Sequence, residues 1–157
     1  MSRISSKVSF KGGTALSKVY FHSNWRLSED LDFTMLEDNK VEDITKEQIS
    51  DLPSVMREIS GIESRVQGDV YSNDSYLQFR LQYDGPISRN TVKIECSNES
   101  FVGPTIKKDV PKMYDYADFS ILSYSIDNIL SEKMRTILLE GVLSVRPWKF
   151  SALMYPI

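Results

Sequence analysis

Cysteine and histidine are nearly missing from this chain, with one of each among 157 residues. A single cysteine, Cys96, excludes an intrachain disulfide and makes a reducing compartment the simplest setting. The lone histidine, His22, falls on the exposed side of the first predicted helix or just past it, and is not read as catalytic. Long apolar runs are also missing: nothing approaches the roughly 18 apolar residues of a membrane span. The longest apolar-rich stretch, Ile126–Leu143, is broken by Asp127, Glu132, Lys133, Arg135 and Glu140. The opening residues MSRISSKVSF carry no apolar signal-peptide segment. A cytoplasmic protein without membrane contact is expected. Positive charge is not in excess either. A net charge of −3 argues against a basic face that coats nucleic acid, although a local basic groove stays compatible with it. Internal repeats and low-complexity tracts are absent, which excludes repeat arrays.

What remains is ordinary globular composition, 41% hydrophobic and 26% charged, in a chain long enough to bury its own core. Val8–Phe10 reads as a strand running into the turn Gly12-Gly13. Thr14 then caps a helix whose apolar face is Leu16, Val19 and Tyr20. Asp30–Met35 alternates, with Leu31 and Phe33 on one face and Asp30 and Asp32 on the other. Glu37–Asp43 is an acidic loop. Thr45–Ile59 reads as a helix capped by Thr45 and interrupted near Pro53. Further strands are expected at Ile62–Val66, Tyr76–Tyr83, Thr91–Ser97 and Ile121–Tyr124, with Gly103–Tyr116 irregular. Ser125 opens a helix to about Glu140, with an apolar stripe of Ile126, Ile129, Leu130, Met134 and Ile137. The mixture and its alternation favour an α+β domain followed by a helical tail.

The chemistry concentrates where glycines, a helix and paired acids follow one another. Gly12 and Gly13 allow close backbone approach to a ligand, and the helix after them offers free N–H groups to phosphate. Asp30 and Asp32 leave one strand face about 6.6 Å apart. Carboxylates so spaced can converge on Mg²⁺, which prefers oxygen ligands and substrate phosphates. Glu95 is a third acid on the polar face of another alternating strand. Lys133 falls inside the apolar stripe of the last helix, where it either snorkels or points a cation into a cleft. Each feature alone is also what an ordinary turn, a solvated strand face or a surface lysine presents. Their order and spacing carry the reading. Tyr20, Tyr76, Tyr114, Tyr116 and Trp148 read either as core or as stacking partners for a base. Cys96, facing away from Glu95, reads as core.

The runs Phe10-Lys11-Gly12-Gly13-Thr14-Ala15-Leu16 and Arg26-Leu27-Ser28-Glu29-Asp30-Leu31-Asp32-Phe33 closely resemble motifs of the AbiEii/AbiGii toxin family of nucleotidyltransferases. Lys93-Ile94-Glu95 looks like that family's third acidic strand, and Ile126–Leu138 with Glu132-Lys133 like its helix motif. The resemblance implies a DNA polymerase β-like nucleotidyltransferase fold, a mixed sheet flanked by helices with a short C-terminal helical segment. It divides the chain into a core at 1–122 and a C-terminal helix and tail at 123–157. It implies Mg²⁺ ligation by Asp30, Asp32 and Glu95, and triphosphate binding by Gly12, Gly13, Thr14, Ser28 and Lys133, with Lys133 also serving catalysis. Arg26 would lie beside the site. The implied reaction transfers NMP from an NTP to an acceptor hydroxyl, with RNA or tRNA as acceptor and a cognate antitoxin as partner in a type IV toxin–antitoxin or abortive-infection system. The family's further Arg-rich R-D-x-x-D segment has no counterpart at Arg146–Leu153. A second reading therefore takes the chain as a shortened remnant that binds nucleotide or a partner protein without turnover.

Overall fold

A computed structural model describes residues 6–21, 30–85, 87–98, 103–110 and 119–140. Strands form where apolar and polar side chains alternate: β1 (Val8–Lys11), β2 (Asp30–Met35), β3 (Ser64–Ser72), β4 (Tyr76–Asp84), β5 (Arg89–Ser97), β6 (Thr105–Val110) and β7 (Phe119–Tyr124). They make one mixed sheet in the order β3-β4-β5-β2-β1-β7-β6. β2 lies at its centre, antiparallel to β1 and parallel to β5, while β1 runs parallel to β7. The helices are α1 (Gly12–Ala15), continued by a π-helical turn at Leu16–Tyr20, then α2 (Lys46–Ser60) and α3 (Ile126–Glu140). The architecture is α+β, as the alternation implies.

One face of the sheet is apolar and covered. Val8, Met35, Leu77, Phe79 and Cys96 pack with Ile49 of α2, and Phe10 packs with Ala15, Leu16 and Val19 of the first helix and its π-helical turn, in a cluster that includes Tyr124 of β7 and extends past the sheet to Ile129 of α3. Phe33 touches both clusters and stacks on Phe10 with ring centroids 5.1 Å apart. Because β-strand side chains alternate, Lys11, Asp30, Asp32 and Glu95 are turned to the opposite face. Burial of this apolar face fixes which way the acids point, since a one-residue slip in register would invert every side chain. Cys96 is core as expected: its Sγ lies 3.4 Å from Met35 Sδ, and burial pushes the thiol up to about 12.

Several expectations need correction. The first helix begins at Gly12, so Thr14 sits inside it and does not cap it. Thr14 instead donates its hydroxyl to the Asp30 carbonyl at 2.7 Å, tying the helix to the start of β2. Helix α2 runs through Pro53 unbroken. The proline removes one bond, to the Ile49 carbonyl, and both ends are fixed. Thr45 and Gln48 form a reciprocal capping box, and Gly61 closes the far end at φ 70°. Strand β3 continues to Ser72, because a shift in register between Gln67 and Tyr71 accommodates Gly68 at φ 71°. The stretch expected to be irregular contains β6. It is an edge strand paired only with β7, and Lys107 and Lys108, which weaken its strand signature, are typical of edges. On α3, Ile129 is buried, but Leu130, Met134 and Leu138 are 40%, 55% and 76% exposed, so the apolar stripe is wider than the surface that covers it. Arg26, Ser28, His22, Tyr114, Tyr116 and the Arg146–Leu153 segment lie outside the described residues.

Candidate active site

The sheet register brings the acids together. Pairing of β2 with β5 sets Asp30 opposite Lys93 and Asp32 opposite Glu95. Pairing of β2 with β1 sets Lys11 on the other flank of Asp32. Two carboxylates directly opposite each other destabilise a sheet. Here that cost is met by cations and hydroxyls placed around them. Lys93 Nζ lies 3.3 Å from Asp30 Oδ1 and 3.1 Å from Glu95 Oε2. The Tyr76 hydroxyl donates to Glu95 Oε1 and contacts Gln78 Oε1 at 3.1 Å. Lys11 Nζ reaches 4.0 Å from Glu132 Oε1, linking the acid-bearing sheet to α3.

Of these residues Lys11, Asp32, Tyr76, Glu95 and Glu132 open onto a cleft of about 380 Å³. Its walls include Gly12 and Gly13 on one side, Asp32, Glu95 and Tyr76 on the sheet, and Lys133 on α3. Gly12 has φ 77°, a conformation glycine adopts without cost. A Cβ on Gly12 would overlap Asp32 Oδ2 and come within 3.2 Å of Asp32 Cβ and Cγ. The glycine therefore lets the Asp32 carboxylate lie directly against the backbone of the turn. Of the expected site residues, Gly12, Gly13, Asp32, Glu95 and Lys133 share the cleft. Asp30 stands at its edge, about half exposed and held by Lys93. Thr14 is buried beneath, and Ser28 lies outside the described residues.

The electrostatics are uneven across the acids. Burial, together with the charges of Glu95 and Asp30, raises the Asp32 carboxyl above the usual carboxylate range. Burial also works against Glu95, but the Tyr76 hydroxyl and the Lys93 ammonium overcome it and hold that carboxyl below its ordinary value. Desolvation opposes the Lys93 charge, and Glu95 and Asp30 outweigh it, so the ammonium titrates above the ordinary lysine value. Burial and the neighbouring Glu95 raise the Tyr76 phenol, keeping it a hydrogen-bond donor. Among the described residues, no three His, Cys, Asp or Glu side chains stand grouped to hold a metal ion. An ammonium lies between two of the three acids. The donor set is nonetheless all carboxylate oxygen, the chemistry that suits Mg²⁺, and Asp32 is short of compensating positive charge.

Two participants were not singled out by sequence. Lys93 was visible only as a polar-face neighbour of Glu95, and Tyr76 only as one aromatic among several. The one available signal was parity: both share the exposed face with Glu95 once β4 and β5 are paired.

An α+β sheet that presents paired acids beside a glycine turn, faced by lysines, is the arrangement of the nucleotidyltransferase class. The chain belongs to the AbiEii family: residues 2–149 match the family described as nucleotidyl transferase AbiEii toxin of type IV toxin–antitoxin systems. The fold is similar to MenT4, a nucleotidyltransferase toxin from Mycobacterium tuberculosis, at a TM-score of 0.57 and 19% identity over 82% of this chain and 44% of that one. It is also similar to JHP933 from Helicobacter pylori, at a TM-score of 0.51 and 21% identity over 81% of this chain and 47% of that one. The chain thus spans a little under half the length of these two structures. No curated protein matches the sequence. No helix among the described residues is long and apolar enough to cross a membrane.

Proposed function

We propose that this chain carries the nucleotide-handling centre of a Mg²⁺-dependent nucleotidyltransferase, moving NMP from an NTP to an acceptor hydroxyl of RNA or tRNA, under the control of a cognate antitoxin in the cytoplasm. The observation that carries the reading is the placement of Asp32 against Glu95 in adjacent parallel strands, at the mouth of a cleft walled by Gly12, Gly13 and Lys133. Nothing in sheet packing requires two carboxylates there. Conflicts between local stability and sequence of this kind mark functional sites.

In this reading Asp30, Asp32 and Glu95 would hold Mg²⁺, which lowers the pKa of an attacking hydroxyl and neutralises charge developing on phosphate. Gly12 and Gly13 let the triphosphate approach the backbone, with Thr14 securing the turn to β2, and the family motif would add Ser28 to the triphosphate contacts. Lys133, on the opposite wall, offers its ammonium to phosphate oxygens and stabilises charge in the transition state. Tyr76 keeps the Glu95 carboxylate oriented and charged. In this reading residues 1–122 would be the catalytic core and 123–157 the C-terminal helix and tail.

The test is transfer of label from an α-³²P-NTP to total RNA. Asp30→Ala and Asp32→Ala are each expected to remove labelling and metal-dependent NTP binding. Labelling that survives the double substitution would overturn the assignment. Calorimetric NTP binding without any labelling by the unaltered chain would instead support the remnant that binds without turnover.

A further inference from the structure

Two of the three acids at and beside the cleft already hold a cation. Lys93 Nζ sits 3.3 Å from Asp30 Oδ1 and 3.1 Å from Glu95 Oε2, one ammonium spanning the outer two of the three carboxylates. The position is dictated by register, because Lys93 pairs with Asp30 and stands two residues before Glu95 on the same face. The Lys93 side chain is 29% exposed and that of Glu95 23%, so water screens this bridge only in part. Glu95 is also fully engaged: one oxygen meets Lys93 and the other meets the Tyr76 hydroxyl.

We propose that Lys93 is the resident counter-cation of the acidic site, a positioning residue that holds Asp30 and Glu95 in the metal-free protein and must leave them before they can hold a divalent ion. The inference rests on the metal reading given above. A magnesium ion needs carboxylate oxygen at about 2.0–2.1 Å in octahedral geometry, and the ammonium occupies the same oxygens from the space between them. Two cations sharing those oxygens would repel strongly at such separations. The lysine stem is flexible, with a compact charge at its end, so it can swing out where a planar, forked guanidinium would be harder to displace. The consequence is a site in which divalent binding is resisted until something offsets the loss of the Lys93 bridge.

The test uses Mn²⁺ alone as probe, with the full chain and no nucleotide, counting free ion by electron paramagnetic resonance. Lys93→Met is expected to bind Mn²⁺ about tenfold more tightly than the unaltered protein, and Lys93→Arg no more tightly than it. Adding Asp32→Asn to Lys93→Met is expected to abolish the gain. Lys93→Gln is the parallel variant, and circular dichroism confirms folding of each. Equal or weaker binding by both Lys93→Met and Lys93→Gln, with binding by the unaltered chain still lost on Asp32→Asn, would overturn the exchange while leaving the acids as metal ligands. Absence of Mn²⁺ binding in every variant would overturn both.

Discussion

Gly12 offers a clean perturbation, because the same substitution can be made at matched glycines that lack its neighbour. Gly12, Gly61 and Gly68 all have φ between 70° and 77°. Alanine in this left-handed region costs about 1–2 kcal/mol for the backbone alone. At Gly61 and Gly68 a new Cβ meets nothing within 4 Å, so that cost is the whole effect. At Gly12 the Cβ overlaps Asp32 Oδ2 and crowds Asp32 Cβ and Cγ at 3.2 Å. Turning Asp32 out of its well adds about 0.5–1.5 kcal/mol. Gly12→Ala is therefore expected to destabilise by about 2–3 kcal/mol, lowering Tm by about 4–12 °C for a chain of this size. Gly68→Ala should lose only about 1–2 kcal/mol. The functional effect is expected to be disproportionate, since displacing a reacting group by about 1 Å costs about 100-fold in rate. Urea unfolding measures the first quantity, and labelling from an α-³²P-NTP the second. If Gly12→Ala unfolds with Gly68→Ala and labels at the unaltered rate, Asp32 is not seated against the turn and the site geometry is wrong.

Asp32→Asn is expected to raise stability at pH 7 while removing transfer. The Asp32 carboxyl is raised in the folded protein, first by burial and then by Glu95 and Asp30, so its ionisation opposes folding above the folded pKa. The stability gap between variant and parent should therefore be full at neutral pH. It should shrink as pH falls through the folded pKa towards the ordinary aspartate value of about 3.9, as denaturation across that range would show. Tyr76→Phe is expected to cost about 1–2 kcal/mol by removing the hydroxyl from Glu95, and to move Glu95 titration upward, as followed by carboxyl NMR. Because Glu95 is lowered in the folded state, this loss should be present above about pH 4.3 and vanish as pH falls through its folded value.

Much of the fold was legible where one period dominates. Asp30–Met35 alternates without interruption, and β2 has those same limits. Tyr76–Tyr83 and Thr91–Ser97 were also readable, falling short of the observed strands by one and two residues. Local propensity misled where an end or an edge compensated. Pro53 does not break α2 because both its termini are capped, and the lysines of β6 lie on an edge that tolerates them. For the site, Gly12, Asp30, Asp32, Glu95 and Lys133 were legible from residue type, spacing and motif. Lys93 and Tyr76 were not, because their roles depend on which strands are neighbours. β5 joins β2 in parallel from some sixty positions away, and periodicity within a strand contains no information about its partner.

That long-range pairing has a consequence for how the protein comes into being. Lys11, Asp32, Glu95 and Lys133 are spread over most of the described chain, and the sheet joins β1 to β7 and β2 to β5 rather than to their sequence neighbours alone. Non-local and parallel pairings form late, after the entropy of closing long loops has been met. On the ribosome, then, the glycine turn and the first two acids emerge well before their partners, and the cleft lacks the side that carries Lys133 until α3 follows. Under the proposed function, the site of a growing chain would be complete only once Lys133 had emerged.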